Sequence, residues 1–315
     1  MKAAVLRSLG EPPRFEDVPE PVPGEGWEPV RVTACPLTNL DRVLAAGTHF
    51  ALPRELPAIC GSLAAGERAD GAPVLFRSPG GTMAERALTR PELCTPIPEG
   101  VDPDLVAAVQ NPGVSTWAAL EWRAGLSPGE RVLVLGATGV AGRIAVQLAR
   151  RLGAGRVVAA GRDPGVLASL PALGADATIR LDRPGAELRE AFRAEGPFDV
   201  VLDYLWGPPT EAFISTLGHT DMRLRSSRVR LVQIGTMAGA EVALPAEILR
   251  SSGLEVVGFG TGNAPPAGEL ARCLSGLTAL LAEGALDVPV GRVPLSRVEE
   301  VWNLDQKGVR TLLIP

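Results

Sequence analysis

Gly136, Gly139 and Gly142 recur at three-residue spacing between an apolar run, Arg131-Val-Leu-Val-Leu135, and a helix-like segment at 140–152. A strand, a glycine turn and a helix in that order can hold phosphate. Gly136 takes the tight turn, Gly139 lets the backbone approach a pyrophosphate, and Gly142 lets the helix pack closely on the strand. The helix start then offers free N–H groups and a partial positive charge. Ala137, Thr138 and Val140 complete the turn, a variant of the commoner Gly-x-Gly-x-x-Gly spacing. Together these features predict dinucleotide binding; a glycine-rich turn of some other α/β domain is the alternative.

The end of the next apolar run, Val157-Val-Ala-Ala-Gly161-Arg162-Asp163-Pro164, bears on which dinucleotide. An acidic side chain there would accept from a ribose 2′-OH. Gly161 stands instead, followed by Arg162. A small residue leaves room for a 2′-phosphate and a guanidinium can grip it, so NADPH is expected over NADH. Arg162 as a plain surface residue is the other reading. Asp163 falls later and reads as a helix N-cap before Pro164.

What the chain lacks is equally informative. Its 315 residues include two His (His49, His219), one Tyr (Tyr204) and two Lys (Lys2, Lys307), the other basic residues being Arg. A multi-His metal centre is therefore disfavoured. So is chemistry needing Tyr and Lys one helical turn apart, because Pro208 stands where that Lys would follow Tyr204. A net charge of −5 and no basic block argue against nucleic-acid binding. Arg223, Arg225, Arg228 and Arg230 form a short cluster that reads as a solvated loop. No apolar run reaches the length of a membrane span, and the first residues show no secretory h-region. Cys35, Cys60, Cys94 and Cys273 are irregularly spaced, which suits free thiols in a cytoplasmic protein.

These residues must be carried by two kinds of chain. Residues 1–112 are rich in Pro and Gly, with short β-like runs at 30–34 and 73–76 between turn signals. After Asn111-Pro112-Gly113, apolar runs at 132–135, 157–160, 199–202, 229–234 and 254–259 alternate with helical segments at 140–152, 164–173, 208–217 and 246–251. Such alternation predicts a parallel sheet covered on both faces. Residues 266–283 read as an amphipathic helix, and 288–315 as short strands with one short helix.

Several segments then converge on a known pattern. They are Lys2-Ala-Ala-Val5, Phe15-Glu-Asp-Val-Pro19, Val30-Arg-Val-Thr-Ala34, Asn39-Leu-Asp41, Asn111 to Leu120, and Ala124-Gly-Leu-Ser-Pro128-Gly-Glu-Arg-Val132. Over nearly its whole length the chain resembles the medium-chain dehydrogenase/reductase superfamily, in its zinc-independent quinone oxidoreductase and enoyl reductase branch. The resemblance implies an α/β fold: a Rossmann doubly wound parallel sheet over 113–262 and an N-terminal GroES-like β-barrel domain over 1–112, completed by 263–315. Where zinc-dependent relatives carry ligands, this chain has Thr38, Ser62 and Pro112, and 61–76 has no room for a structural-zinc lobe, so no metal is expected.

The resemblance further implies hydride transfer from NADPH to a quinone or an α,β-unsaturated carbonyl. An NADPH-binding protein with little turnover, and a carbonyl or alcohol oxidoreductase of a biosynthetic pathway, are the rival readings. Asn39 matches a residue placed near the nicotinamide and substrate carbonyl, where its amide could donate to an oxyanion; a turn-stabilising Asn is the equal alternative. His49 stands where many relatives carry a Tyr and reads either as a general acid or as a rim residue. Thr116, Tyr204, Gly235, Thr236, Phe259, Gly260 and Thr261 match cofactor-lining positions, and Lys307 and Arg310 are expected at the phosphates. A small-molecule substrate and a homodimer, formed through 254–262, are expected.

Overall fold

In the computed structural model, residues 1–48, 55–218, 228–260, 262–304 and 307–315 are described. His49 and Thr261, singled out above, lie outside them, as do His219, Arg223 and Arg225. The chain divides into two units, Met1–Gln110 with Leu281–Pro315, and Asn111–Leu280.

The first unit starts with strands β1 (Lys2–Leu6), β2 (Arg14–Asp17) and β3 (Glu28–Pro36) and helix α1 (Asn39–Ala45). Strands β4 (Ala58–Ile59), β5 (Leu63–Glu67), β6 (Pro73–Arg77), β7 (Arg86–Thr89) and β8 (Cys94–Pro96) follow. Helix α2 (Pro103–Ala118) then runs through Asn111, Pro112 and Gly113. The second unit continues with β9 (Arg131–Leu135), α3 (Val140–Arg151), β10 (Arg156–Gly161), α4 (Pro164–Ser169), β11 (Ala177–Arg180) and α5 (Gly185–Glu195). Next come β12 (Val200–Asp203), α6 (Pro208–Ile214), β13 (Arg228–Gln233), α7 (Ala246–Ser251), β14 (Gly253–Gly258) and α8 (Ala267–Ala282). The tail returns to the first unit with β15 (Val290–Pro294), α9 (Val298–Val301) and β16 (Arg310–Ile314).

In the first unit, a three-stranded sheet β2-β1-β4 and a seven-stranded sheet, β15-β16-β3-β5-β6-β8 with β7 also on β3, share one core. Ala4 and Leu6 of β1 pack with Val30, Val32, Phe76 and, from the tail, Val298, Trp302 and Leu313. The tail therefore completes this unit: β16 pairs antiparallel with β3 at Leu313↔Cys35. Cys35 is enclosed there, and burial pushes its thiol pKa up, which suits an inert core thiol.

The second unit holds a six-stranded sheet in the order β11-β10-β9-β12-β13-β14, and every pairing is parallel. Leu133, Leu135, Val158, Val201 and Leu231 face Leu188, Phe192, Phe213 and Ile248 on one side. Val132 and Val134 of the opposite parity are also fully buried, so both faces are covered. That is why the strands read as continuous Val/Leu runs. Strand β11 and helix α5 are absent from the sequence expectation. β11 buries one residue of its four, and α5 is dominated by Glu, Arg and Ala, with Leu188 and Phe192 its buried residues.

The second unit extends past the expected limit at 262, because α8 packs within it. Gly276 lies against the Trp117 indole so closely that a Cβ would stand 2.7 Å from Cζ2. Arg272 of α8 pairs with Glu121, and Trp117 Nε1 donates to the same carboxylate at 2.7 Å. Among the described residues no helix is long and apolar enough to cross a membrane.

One buried charge ties this unit together. Arg230, on β13, donates to the carbonyls of Ala124 (2.8 Å) and Gly125 (3.1 Å) and pairs with Glu130. Glu130 also accepts from Ser127 N at 2.8 Å, so the lead-in to β9 is fixed from β13. Removing the guanidinium orphans two carbonyls and a half-buried carboxylate. We expect Arg230→Met to lower unfolding stability by about 2–4 kcal/mol. In urea denaturation the midpoint should fall with the m-value unchanged.

Candidate functional site

The strand order places a topological switch point between β9 and β12, where an open α/β sheet binds ligands beyond its strand C-termini. The loop after β9 is the glycine turn. Gly136 has φ +94°, a left-handed conformation suited to glycine. Gly136 N and Ala137 N both donate to the Ala160 carbonyl at 2.9 Å, which ties the turn to β10. Gly139 is the N-cap of α3 and is exposed. A Cβ on Gly142 would overlap the Gly136 carbonyl oxygen and stand 2.5 Å from Ala137 Cα. The helix start therefore rests directly on the turn. The first-turn amides of Val140, Ala141 and Gly142 have no carbonyl four residues back within the helix to receive them.

Gly161 ends β10 against Thr138: a Cβ there would overlap the Thr138 methyl and stand 2.9 Å from Oγ1. Its small size therefore serves the packing of the turn, which corrects the expectation that it opens space for a phosphate. Arg162 is exposed and makes no hydrogen bond or ion pair among the described residues. Asp163 caps α4, accepting from Val166 N at 2.9 Å, as its place before Pro164 predicts.

At the end of β12, Asp203 is fully buried, a site residue that the sequence reading misses. Its Oδ1 accepts from Leu205 N and Trp206 N, each at 2.9 Å, and its Oδ2 from Thr210 Oγ1 at 2.7 Å. Burial nonetheless pushes its carboxyl pKa up. These bonds hold Trp206 at φ +56°, a conformation costly for a bulky side chain. An acidic residue closing the apolar run Val200-Val-Leu202 is the signal that could have found it, since a buried carboxylate needs partners.

Tyr204 follows, buried, with its hydroxyl 2.7 Å from Thr116 Oγ1, which is also buried. Burial pushes the phenol pKa well up, outweighing that bond, so Tyr204 is no acid at neutral pH. Gly235 ends the next crossover tightly: its N–H donates to Asp203 O at 3.1 Å, and a Cβ would stand 2.6 Å from Tyr204 O. Thr236 and Gly260 are exposed. Phe259 is half-buried, edge-on to Trp122 with centroids 6.4 Å apart. The structure thus gathers the glycine turn, Gly161, Arg162, Tyr204, Gly235, Thr236, Phe259 and Gly260 at the C-terminal ends of one sheet, with Thr116 joined through Tyr204.

Asn39, Lys307 and Arg310 belong to the other unit. Asn39 is exposed in the first turn of α1, and its Oδ1 accepts from Arg42 Nη1 at 3.4 Å. Lys307 is exposed at φ +43°. Arg310, expected at the phosphates, is buried within its own unit, donating to the Leu37 carbonyl at 2.9 Å. Thr38 is the N-cap of α1, in a capping box with Asp41. Among the described residues no three or more His, Cys, Asp or Glu side chains are gathered as a metal would require.

No family model matches the chain. A probable NADPH-dependent quinone reductase of Emericella nidulans is 32% identical over 69% of this chain, which spans 63% of that protein's length. A phenolphthiocerol/phthiocerol polyketide synthase protein of Mycobacterium tuberculosis is 26% identical over 98% of this chain, which spans 14% of it. The solved quinone oxidoreductase of Thermus thermophilus, studied also as its NADPH complex, is 31% identical with a TM-score of 0.83, and the match covers 100% of both chains. With that fold shared end to end, the chain belongs to the zinc-independent quinone oxidoreductase branch of the medium-chain dehydrogenase/reductase superfamily.

Proposed function

We propose that this chain is an NADPH-dependent oxidoreductase that reduces a quinone or an α,β-unsaturated carbonyl compound without a metal. The observation that carries this reading is the cradle at the switch point: a turn without room for a Cβ at Gly142, first-turn amides of α3 with no side-chain cap among the described residues, and an Arg162 at the end of the neighbouring strand that is unpaired among the described residues. The fungal and Thermus relatives, named for NADPH and quinones, support both the cofactor and the acceptor.

The amides of Val140, Ala141 and Gly142 would bind the pyrophosphate, aided by the dipole of α3. Arg162 would grip the 2′-phosphate with a charge-assisted fork. Thr116, held by Tyr204, together with Gly235, Thr236, Phe259, Gly260 and Thr261, would line the remaining cofactor surface, and Lys307 would lie at its phosphates. Bound there, NADPH supplies hydride. Asn39 presents its carboxamide with Oδ1 turned to Arg42, so Nδ2 is the end that donates to the substrate oxygen as negative charge develops. With Tyr204 buried, the proton comes from His49 or from solvent. A homodimer through the exposed edge of β14, where Val256 is 38% exposed, completes the reading.

Arg162→Ala should raise the NADPH Kd about ten- to hundredfold, corresponding to the loss of a charge-assisted bond, and leave the NADH Kd nearly unchanged. Equal effects on both cofactors would defeat the assignment. Stopped-flow NADPH oxidation against 1,4-benzoquinone and methyl vinyl ketone should show turnover; none with either would favour a binding protein. Asn39→Ala should lower kcat about a hundredfold at saturating NADPH. If His49 donates the proton, kcat should fall as pH rises and His49→Ala should flatten that profile; a profile already flat assigns the proton to solvent.

A further inference from the structure

The turn that carries Asn39 is gripped from the opposite end of the chain by a buried guanidinium. Arg310 sits on β16 with 9% of its surface exposed, its Nη1 donating to Leu37 O at 2.9 Å and its Nε without a partner among the described residues. Burying a guanidinium this way is costly, and an apolar side chain of similar length would fill the site more cheaply. Burial draws its pKa down to about 10; the carboxylate of Asp41 opposes that shift and the charge of Arg42 adds to it. The carbonyl it holds belongs to the residue two before Asn39. The Leu37 N–H is held as well, donating to Thr311 O at 3.0 Å, so β16 fixes both backbone groups of Leu37.

The other side of Asn39 is fixed in the same manner. Asp41, 5% exposed, accepts at Oδ2 from Thr38 N (2.9 Å) and Thr38 Oγ1 (2.5 Å), and its own N–H donates to Thr38 Oγ1 at 3.2 Å. Arg42 donates to Trp302 O at 2.6 Å and Leu304 O at 3.0 Å while touching Asn39 Oδ1. Residues 37, 38, 41 and 42 are thus all anchored, through the tail or a buried carboxylate, and they bracket Asn39 and Leu40, of which Asn39 carries the exposed polar side chain.

We propose that Arg310, acting with Asp41, is a positioning residue that sets the placement of the Asn39 carboxamide. This rests on the reading of Asn39 as the oxyanion donor. A displacement of about 1 Å in such a group can lower a rate by roughly a hundredfold, so a firm backbone anchor has kinetic value beyond stability.

The test is a double-mutant cycle in the full chain, with NADPH and 1,4-benzoquinone, reading kcat, NADPH Kd and thermal midpoint. Arg310→Met should lower kcat about tenfold or more in the unmodified protein and less than about twofold in the Asn39→Ala background, with NADPH Kd unchanged. Arg310→Lys, which keeps the charge and a donor for Leu37, should recover most of kcat. If Arg310→Met does not fold, Asp41→Asn takes its place in the same cycle. Equal fold-losses in both backgrounds would overturn the positioning role while leaving Asn39 its own. A raised NADPH Kd with kcat unchanged would overturn it in favour of a cofactor contact. If Asn39→Ala leaves kcat intact, the oxyanion reading fails and this inference fails with it.

Discussion

The contact between Gly142 and the backbone of Gly136 and Ala137 governs the nucleotide-binding unit. There is no space for a Cβ there, so α3 begins directly on the end of β9. That closeness aims the first-turn amides of α3 at the mouth of the sheet. It also decides what lies beside the turn. Gly136 and Ala137 share the Ala160 carbonyl, which locks the turn to β10, and Thr138 then fills the position that a side chain on residue 161 would take. On the other flank, a Cβ on Gly136 would stand 3.3 Å from Tyr204 Cβ, and Gly235 packs on the Tyr204 carbonyl. Four close glycine approaches, at Gly142, Gly161, Gly136 and Gly235, bring the ends of β9, β10, β12 and β13 into one surface.

A second constraint is the burial of polar groups at those strand ends. Asp203 ends β12 inside the protein and spends its oxygens on two amides and a hydroxyl. Those bonds hold the turn that reverses the chain into α6 and keep Tyr204 beneath Thr116. The pair Thr116–Tyr204 then joins α2 to the end of β12 by a single buried hydrogen bond. Leaving either hydroxyl unmet would cost about 1–3 kcal/mol, so the two residues are legible only as a pair.

Much of this is readable from sequence because its signals are local. The glycine spacing, the Val/Leu strands of a doubly covered sheet and the Asp163-Pro164 cap each follow from a few consecutive residues. The fold class and the strand–helix alternation come from the same source. What is not readable depends on distant partners. Strand β11 and helix α5 sit at the sheet edge, where few positions are buried and hydrophobic period is weak. Helix α8 joins the second unit because Gly276 meets Trp117, a contact no local pattern announces. The small size of Gly161 is legible only with its partner, because Thr138, which a Cβ there would meet, lies on another element. Position near the C-terminus suggests a phosphate contact for Arg310, yet its carbonyl partner is separated from it by most of the chain.

The scarcity of His, Tyr and Lys acquires a structural reason at this point. Tyr204 has its hydroxyl committed to Thr116 and its ionisation suppressed by burial, and Cys35 is suppressed likewise. Asp41 and Asp203 are kept from solvent, and burial raises the pKa of both carboxyls. Tyr204, Cys35, Asp41 and Asp203 are thus buried and committed to hydrogen bonds within the fold. Hydrogen-bond donors that do not titrate near neutrality remain for the reacting oxygen, amides above all. Such a donor stabilises developing negative charge over a wide pH range, which suits reduction of an acceptor whose product takes its proton from water. It would serve a simple ketone poorly, because an alkoxide needs its proton, or a metal, as it forms.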